Sequence, residues 1–195
     1  LSSNKQEEKG AKTNPFRRIL TTNEIKQRIR DNFWLINSAK PFTEQLTEII
    51  DNENFSFFLT DSEGCILHIA TSEKLQKQLN EHYIIPGTFP VANSAIEQAT
   101  VDVLFGGSHG SETKGKFLLP NSTNDWLCYA HPIEASPQTL TGCLAISLPK
   151  QAHSSHIKAL LKLACTSIEQ ELLLSDEKRV VKELKDDQLT IFNRH

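Results

Sequence analysis

The sequence predicts an α+β domain: an antiparallel sheet flanked by helices, with helical extensions at both ends. Three observations predict it. Apolar residues recur at helical spacing over residues 24–52 and again from Ser154 onward. Between these segments, short apolar runs are separated by Gly, Pro, Asp and Asn. The runs lie close together and are joined by short turns, which calls for antiparallel pairing rather than parallel crossovers. The order reads helix, helix, two strands, helix, helix, three strands, long helix. That order places the helices on one face of a single sheet formed within residues 55–150.

Each element has its own justification. Residues 1–14 are polar and rich in Lys and Glu, with no apolar period, and a mobile tail is expected over 1–23. Thr22-Asn23-Glu24 caps a helix over 24–38, with Ile25, Ile29, Phe33 and Ile36 on one face. Pro41 suits the first turn of a second helix over 42–52, facing inward through Phe42, Leu46, Ile49 and Ile50. These form a lead-in unit over 24–52. The domain proper is expected over 53–175. Phe55–Thr60 and Cys65–Ala70 read as strands around the turn Asp61-Ser62-Glu63-Gly64. A short helix is predicted over 72–81, a turn at Pro86-Gly87 and a helix over 92–100. Strands follow at Val101–Phe105, Leu127–Ile133 and Leu140–Leu148.

The last helix carries Ile157, Leu160, Leu161, Ala164, Ile168 and Leu172 at helical spacing. Residues 176–195 form a linker helix in which charges dominate, but Val180, Val181 and Leu184 continue an apolar stripe. Two readings stand. The stripe pairs with a second copy in a parallel homodimer, or it is a solvated helical end packed on its own domain.

Composition narrows the function. The net charge is −3 and there is no Lys/Arg run, so this segment has no phosphate-binding face for nucleic acid. No apolar stretch approaches a membrane span and the N-terminus has no signal-peptide core, so no membrane partner and a cytoplasmic location are expected. Cys65, Cys128, Cys143 and Cys165 are far apart and read as buried free thiols. The chain starts on Leu and has no Met, which reads as a fragment of a longer protein.

The motifs that could carry catalysis are incomplete. Gly110–Lys116 matches most of a phosphate-binding loop, but Phe117 stands where a Ser or Thr must hold magnesium. Pro120-Asn121 then stops the helix whose N-terminus would face the phosphates, leaving a flexible polar loop. His109, Cys128 and His131 are potential metal ligands, as are His153 and His156. Cys128 and His131 are three apart on a strand and face opposite sides, and no carboxylates complete a set. There is no Gly-x-Ser-x-Gly elbow. No metal, cofactor or catalytic residue is therefore assigned, and the chain is not expected to be an enzyme.

A pocket is the better reading. Val101–Phe105 runs into Gly106-Gly107, which carries His109; a long loop follows, then the strand Trp126–Ile133. Loops of more than about a dozen residues in a compact domain are usually lids or binding loops. The predicted ligand-binding residues are Phe57, Phe89, Ser94, Phe105, His109, Trp126 and Cys128, with Trp126 and Cys128 sharing a strand face. Trp126 and Phe105 also suit a plain core role.

Several landmarks fall in a familiar order. Ala39-Lys40-Pro41, Leu59-Thr60-Asp61-Ser62-Glu63-Gly64 and Pro86-Gly87 come first. They are followed by Trp126, Cys128, Ala130, Pro132 and Ile133, and then by Gln138-Thr139-Leu140-Thr141-Gly142-Cys143-Leu144-Ala145-Ile146-Ser147. Over about residues 24–175 the chain resembles the N-terminal GAF sensor region of sigma-54-dependent transcriptional activators of the acetoin-catabolism type. It departs from them at Asn93-Ser94-Ala95-Ile96-Glu97, where a Thr-Asn-Ala-Ile-Gly is usual. It departs again at Ser108, before His109, and at Ala145, where an Asp is common. These departures imply a ligand other than the family's typical one, or lost sensing.

The resemblance implies a ligand-sensing regulatory domain that binds a small-molecule effector and signals through its terminal helices. It implies that DNA and RNA polymerase are reached only through a second sensor, an ATPase module and a helix-turn-helix downstream of residue 195. Two alternatives stay open: a pure dimerisation module with a collapsed pocket, and a GAF-type redox enzyme.

Overall fold

The computed structural model describes residues 16–50, 54–81, 83–90, 99–100, 102–103, 110–116, 125–136, 139–152 and 155–192. Its elements in chain order are β1 (Phe16–Ile19), α1 (Thr22–Asp31), α2 (Phe33–Ile49), β2 (Ser56–Asp61), β3 (Ile66–Thr71), α3 (Glu73–Glu81), β4 (Thr88–Pro90), β5 (Ser111–Lys116), β6 (Asp125–Ser136), β7 (Thr139–Pro149) and α4 (Ser155–Phe192). Five strands form one antiparallel sheet in the order β3-β2-β7-β6-β5. β1 and β4 pair separately, also antiparallel. The α+β class and the antiparallel sheet are as the sequence predicts.

The helices, however, cover both faces. Leu35, Ala39 and Leu46 of α2 and Ile157, Leu161, Ala164, Ile168 and Leu172 of α4 pack on one side, against Phe57, Leu59, Leu127, Tyr129, Leu144, Ile146 and Leu148. Leu75 and Leu79 of α3, with Ile84, Ala99 and Val103, pack on the other, against Phe58, Ile66, Trp126, Cys128, Ala130, Cys143 and Ala145. Both faces of the strands carry apolar residues, so neither could be left to water.

Five local expectations need correction. Residues 16–23, placed in the tail, form β1 and open α1; the backbone of β1 pairs with β4. The lead-in helix breaks at Asn32, whose side-chain amide donates to the Arg28 carbonyl at 2.9 Å. Its N-terminus is a capping box between Thr21 and Glu24. Pro41 lies inside α2 rather than at a helix start. One buried face, Leu35, Ser38, Ala39, Thr43 and Leu46, runs past it without interruption. Pro41 and Asn37 are both exposed, so the carbonyl that loses its partner is on the solvent side.

Residues 102–103 are helical, where the alternation of the sequence predicts a strand over Val101–Phe105. The alternation of Val101, Val103 and Phe105 misled; the spacing that counts is Ala99 to Val103, both buried on the same cluster. Ser111–Lys116 is the edge strand β5, not a loop. Glu112 on this strand is exposed, and a charge there discourages further pairing.

His68 on β3 gives a pH prediction. Burial, reinforced by Lys40, lowers its pKa below 6.5, with Glu44 opposing. A depressed folded-state value means that neutral His68 favours the fold above pH 6.5, the unfolded value. That stability drains away as the pH falls through the folded-state value. Urea midpoints of the parent should therefore fall more steeply between pH 6.5 and 5 than those of His68→Gln. Parallel curves would contradict this.

Candidate functional site

The two faces of the sheet differ in kind. Toward α2 and α4 the side chains are large: Phe57, Leu59, Tyr129, Leu144, Ile146 and Leu148. Toward α3 the centre is floored by small ones: Cys128 and Ala130 on β6, and Cys143, Ala145 and Ser147 on β7. The residues alternate small and large along β7, and period-two geometry sends each set to one face.

One row of this floor is polar across the whole sheet. Thr113, Cys128, Ser147, Ser56 and Thr71 stand in register on β5, β6, β7, β2 and β3. Cys128 Sγ lies 3.1 Å from Ser147 Oγ. Ser56 Oγ lies 3.0 Å from Thr71 Oγ1, whose hydroxyl donates to the Phe55 carbonyl at 2.6 Å. Thr113 Oγ1 has no hydrogen-bond partner among the described residues; neither does Thr60 Oγ1, which lies further along the same face beside Cys143. Buried hydroxyls normally find partners, so open acceptor and donor positions here are notable. The row contains no charged side chain.

Burial disfavours ionisation of the thiols. Burial pushes the Cys128 pKa up to about 12, against a partly offsetting hydrogen bond from Ser147. Burial does the same for Cys65 and Cys143, each about 12, and drives Cys165 up as well. All four are free and buried, and that burial disfavours the thiolate form that nucleophilic or redox chemistry uses. Among the described residues, no group of three or more His, Cys, Asp or Glu could hold a metal ion.

Of the seven predicted ligand residues, the structure brings Trp126 and Cys128 onto one face. Phe57 is on the opposite face, edge-on to Phe55 at 5.6 Å between ring centroids. The strand parity that carries Cys128 toward α3 carries Phe58, not Phe57, alongside it. Phe89 is half-buried on β4, 5.8 Å below the Arg28 guanidinium. Ser94, Phe105 and His109 lie outside the described residues. Sequence reasoning missed Ser56, Ala130, Cys143, Ala145 and Ser147. The small–large alternation Cys143-Leu144-Ala145-Ile146-Ser147-Leu148 was the available signal.

No protein-family model matches the chain. It is 24% identical over 155 residues to a signal-transduction and transcriptional-control protein of Clostridium beijerinckii, covering 80% of this chain and 24% of that protein. It is 21% identical over 168 residues to the acetoin dehydrogenase operon transcriptional activator AcoR of Bacillus subtilis strain 168, covering 84% and 28%. These relatives are transcriptional regulators. The chain spans about a quarter of their length. Among solved structures, a chain of the E. coli DhaR(N)–DhaL complex superposes with a TM-score of 0.71 at 19% identity, covering 91% of this chain and 60% of that one. At that identity the likeness concerns the fold. Among the described residues, no helix is long and apolar enough to cross a membrane.

Proposed function

We propose that this chain is a GAF-type sensor domain of a transcriptional regulator of the sigma-54-dependent, acetoin-activator kind. It binds a small effector on the α3 face of the sheet and signals through its terminal helices. The observation that carries the reading is the small-residue floor with its uncharged polar row, on a fold shared with a chain of the DhaR(N)–DhaL complex and in a sequence related to two regulators. A floor of this chemistry suits a neutral molecule with hydrogen-bonding groups; a carboxylate or phosphate would bury charge without a counter-ion. Trp126 bounds the floor; Ser94, Phe105 and His109 are further proposed contributors to binding. Contact with DNA and RNA polymerase belongs to modules downstream of residue 195.

A thermal-shift screen of neutral and anionic small molecules tests this. A neutral, hydrogen-bonding compound should raise the melting temperature, since a ligand at 100 times its Kd adds about 2.7 kcal/mol. A screen in which only anions stabilise would contradict it.

A second reading has its own support. Cys128, Ala145 and Ser147 are 0% exposed, so the floor is closed. A domain with a collapsed pocket would serve as a dimerisation or protein-docking module, and DhaR(N) is in complex with a protein, DhaL. Homodimerisation is part of both readings. Val180 and Val181 on α4 are 47% and 49% exposed, beyond the stretch that the sheet covers. A parallel pair of α4 helices would bury them. Val181→Asp should shift the chain from dimer to monomer in sedimentation at tens of micromolar. A parent chain that is already monomeric would contradict the dimer.

A further inference from the structure

We propose that β1 and α1 form a strap across the end of the domain, held by Arg28, which links strand β4 to the start of α2. The inference does not depend on the effector reading. α1 contains no buried residue, so it is not held as a core element is. It carries its own stabilisation: the Thr21–Glu24 capping box, a Gln27 amide to Asp31 bond of 2.7 Å, and the Asn32 cap. Helix and attachment are therefore separable.

The attachment is concentrated in a few groups. Arg28 Nη1 lies 2.9 Å from Asp61 Oδ2 and 3.0 Å from Glu63 Oε1, and Nη2 donates to Glu63 Oε2 at 3.0 Å. The guanidinium also stands over the Phe89 ring. One residue thus joins three segments: α1, the β2–β3 turn and β4. Asp61 is 2% exposed, and its Oδ1 accepts from the backbone N–H groups of Glu63 and Cys65, each at 2.9 Å. The turn therefore presents a fixed carboxylate to Arg28.

A second contact lies beside it. Ile25 packs on Gly87, with Cδ1 2.6 Å from where a glycine Cβ would stand. Leu20 N–H donates to Gly87 O at 2.9 Å. The backbone carbonyl of Arg28 accepts from both Asn32 N–H groups, backbone and side chain, at the α1–α2 joint. A shift of β4 would therefore pull on Arg28 and reach the joint where α2 begins.

Hydrogen–deuterium exchange on the 195-residue chain tests the strap. In Arg28→Met, exchange should rise at least tenfold over residues 16–31 and 84–90, with β6 and β7 unchanged. Phe89→Leu removes the ring but keeps the ion pair, and covers the case in which Arg28→Met does not fold; it should raise exchange in the same two segments by a smaller factor. The proposal is overturned if α1 exchanges as slowly in these variants as in the parent. An equal rise in β6 and β7 also overturns it, because Arg28 would then be holding the whole fold.

Discussion

Gly142→Ala should lower stability by about 3 kcal/mol or more, a fall in melting temperature of about 6–12 °C for a chain of this size. Gly142 stands on β7 opposite Asp61 of β2 and Ile133 of β6. A Cβ there would collide with the Thr60 carbonyl oxygen and come within 2.9 Å of Leu35 Cδ2. The first obstacle is backbone in the central strand pair. The second is the α2 side chain that seals the same spot. The Thr60 carbonyl does not yield without moving β2, and Leu35 yields only by repacking its side chain against the sheet. Thermal and urea unfolding measure it; a loss under about 1 kcal/mol would show that the close approach is not what holds β2, β7 and α2 together.

Tyr129→Ala should cost about 4 kcal/mol, within the range for emptying a buried aromatic site. Tyr129 is 1% exposed and among the largest fully buried side chains. It packs on the face that carries α2 and α4, so its loss also loosens the long helix through which signalling is proposed. Cys128→Ala, one residue away on the same strand, removes a single sulfur from the small-residue face and should cost about 1 kcal/mol or less. The contrast between neighbours measures the asymmetry of the sheet. Equal losses would mean that both faces are packed alike.

The same asymmetry explains what could be read in the sequence. Strong periods gave α4 through Ile157 to Leu172, and turn chemistry gave the β2–β3 hairpin, where Asp61 and Gly64 set the turn. They gave Trp126 and Cys128 a common face as well. What was not legible depended on tertiary partners. Pro41 looks like a helix start until the continuous buried face of α2 is known. Val101–Phe105 looks like a strand because alternation and helical spacing coincide over so short a run. Phe57 and Phe58 are adjacent aromatics, and only strand register tells which one shares the face of Cys128. The polar row is spread over five strands, one residue from each, and no local window contains more than one of its members.

The effector is proposed to bind on the α3 face, where Trp126 is 6% exposed, whereas Trp34 on α2 is 49% exposed. The direct measurement is therefore tryptophan fluorescence in Trp34→Phe, which leaves Trp126 as the sole indole, titrated with whichever neutral compound stabilises the chain. Binding on the α3 face should give a saturable change in Trp126 emission with the affinity seen by thermal shift. It should give no matching change from Trp34 in Trp126→Phe. Saturation seen at Trp34 with Trp126 silent would place the ligand on the helical face and contradict the account.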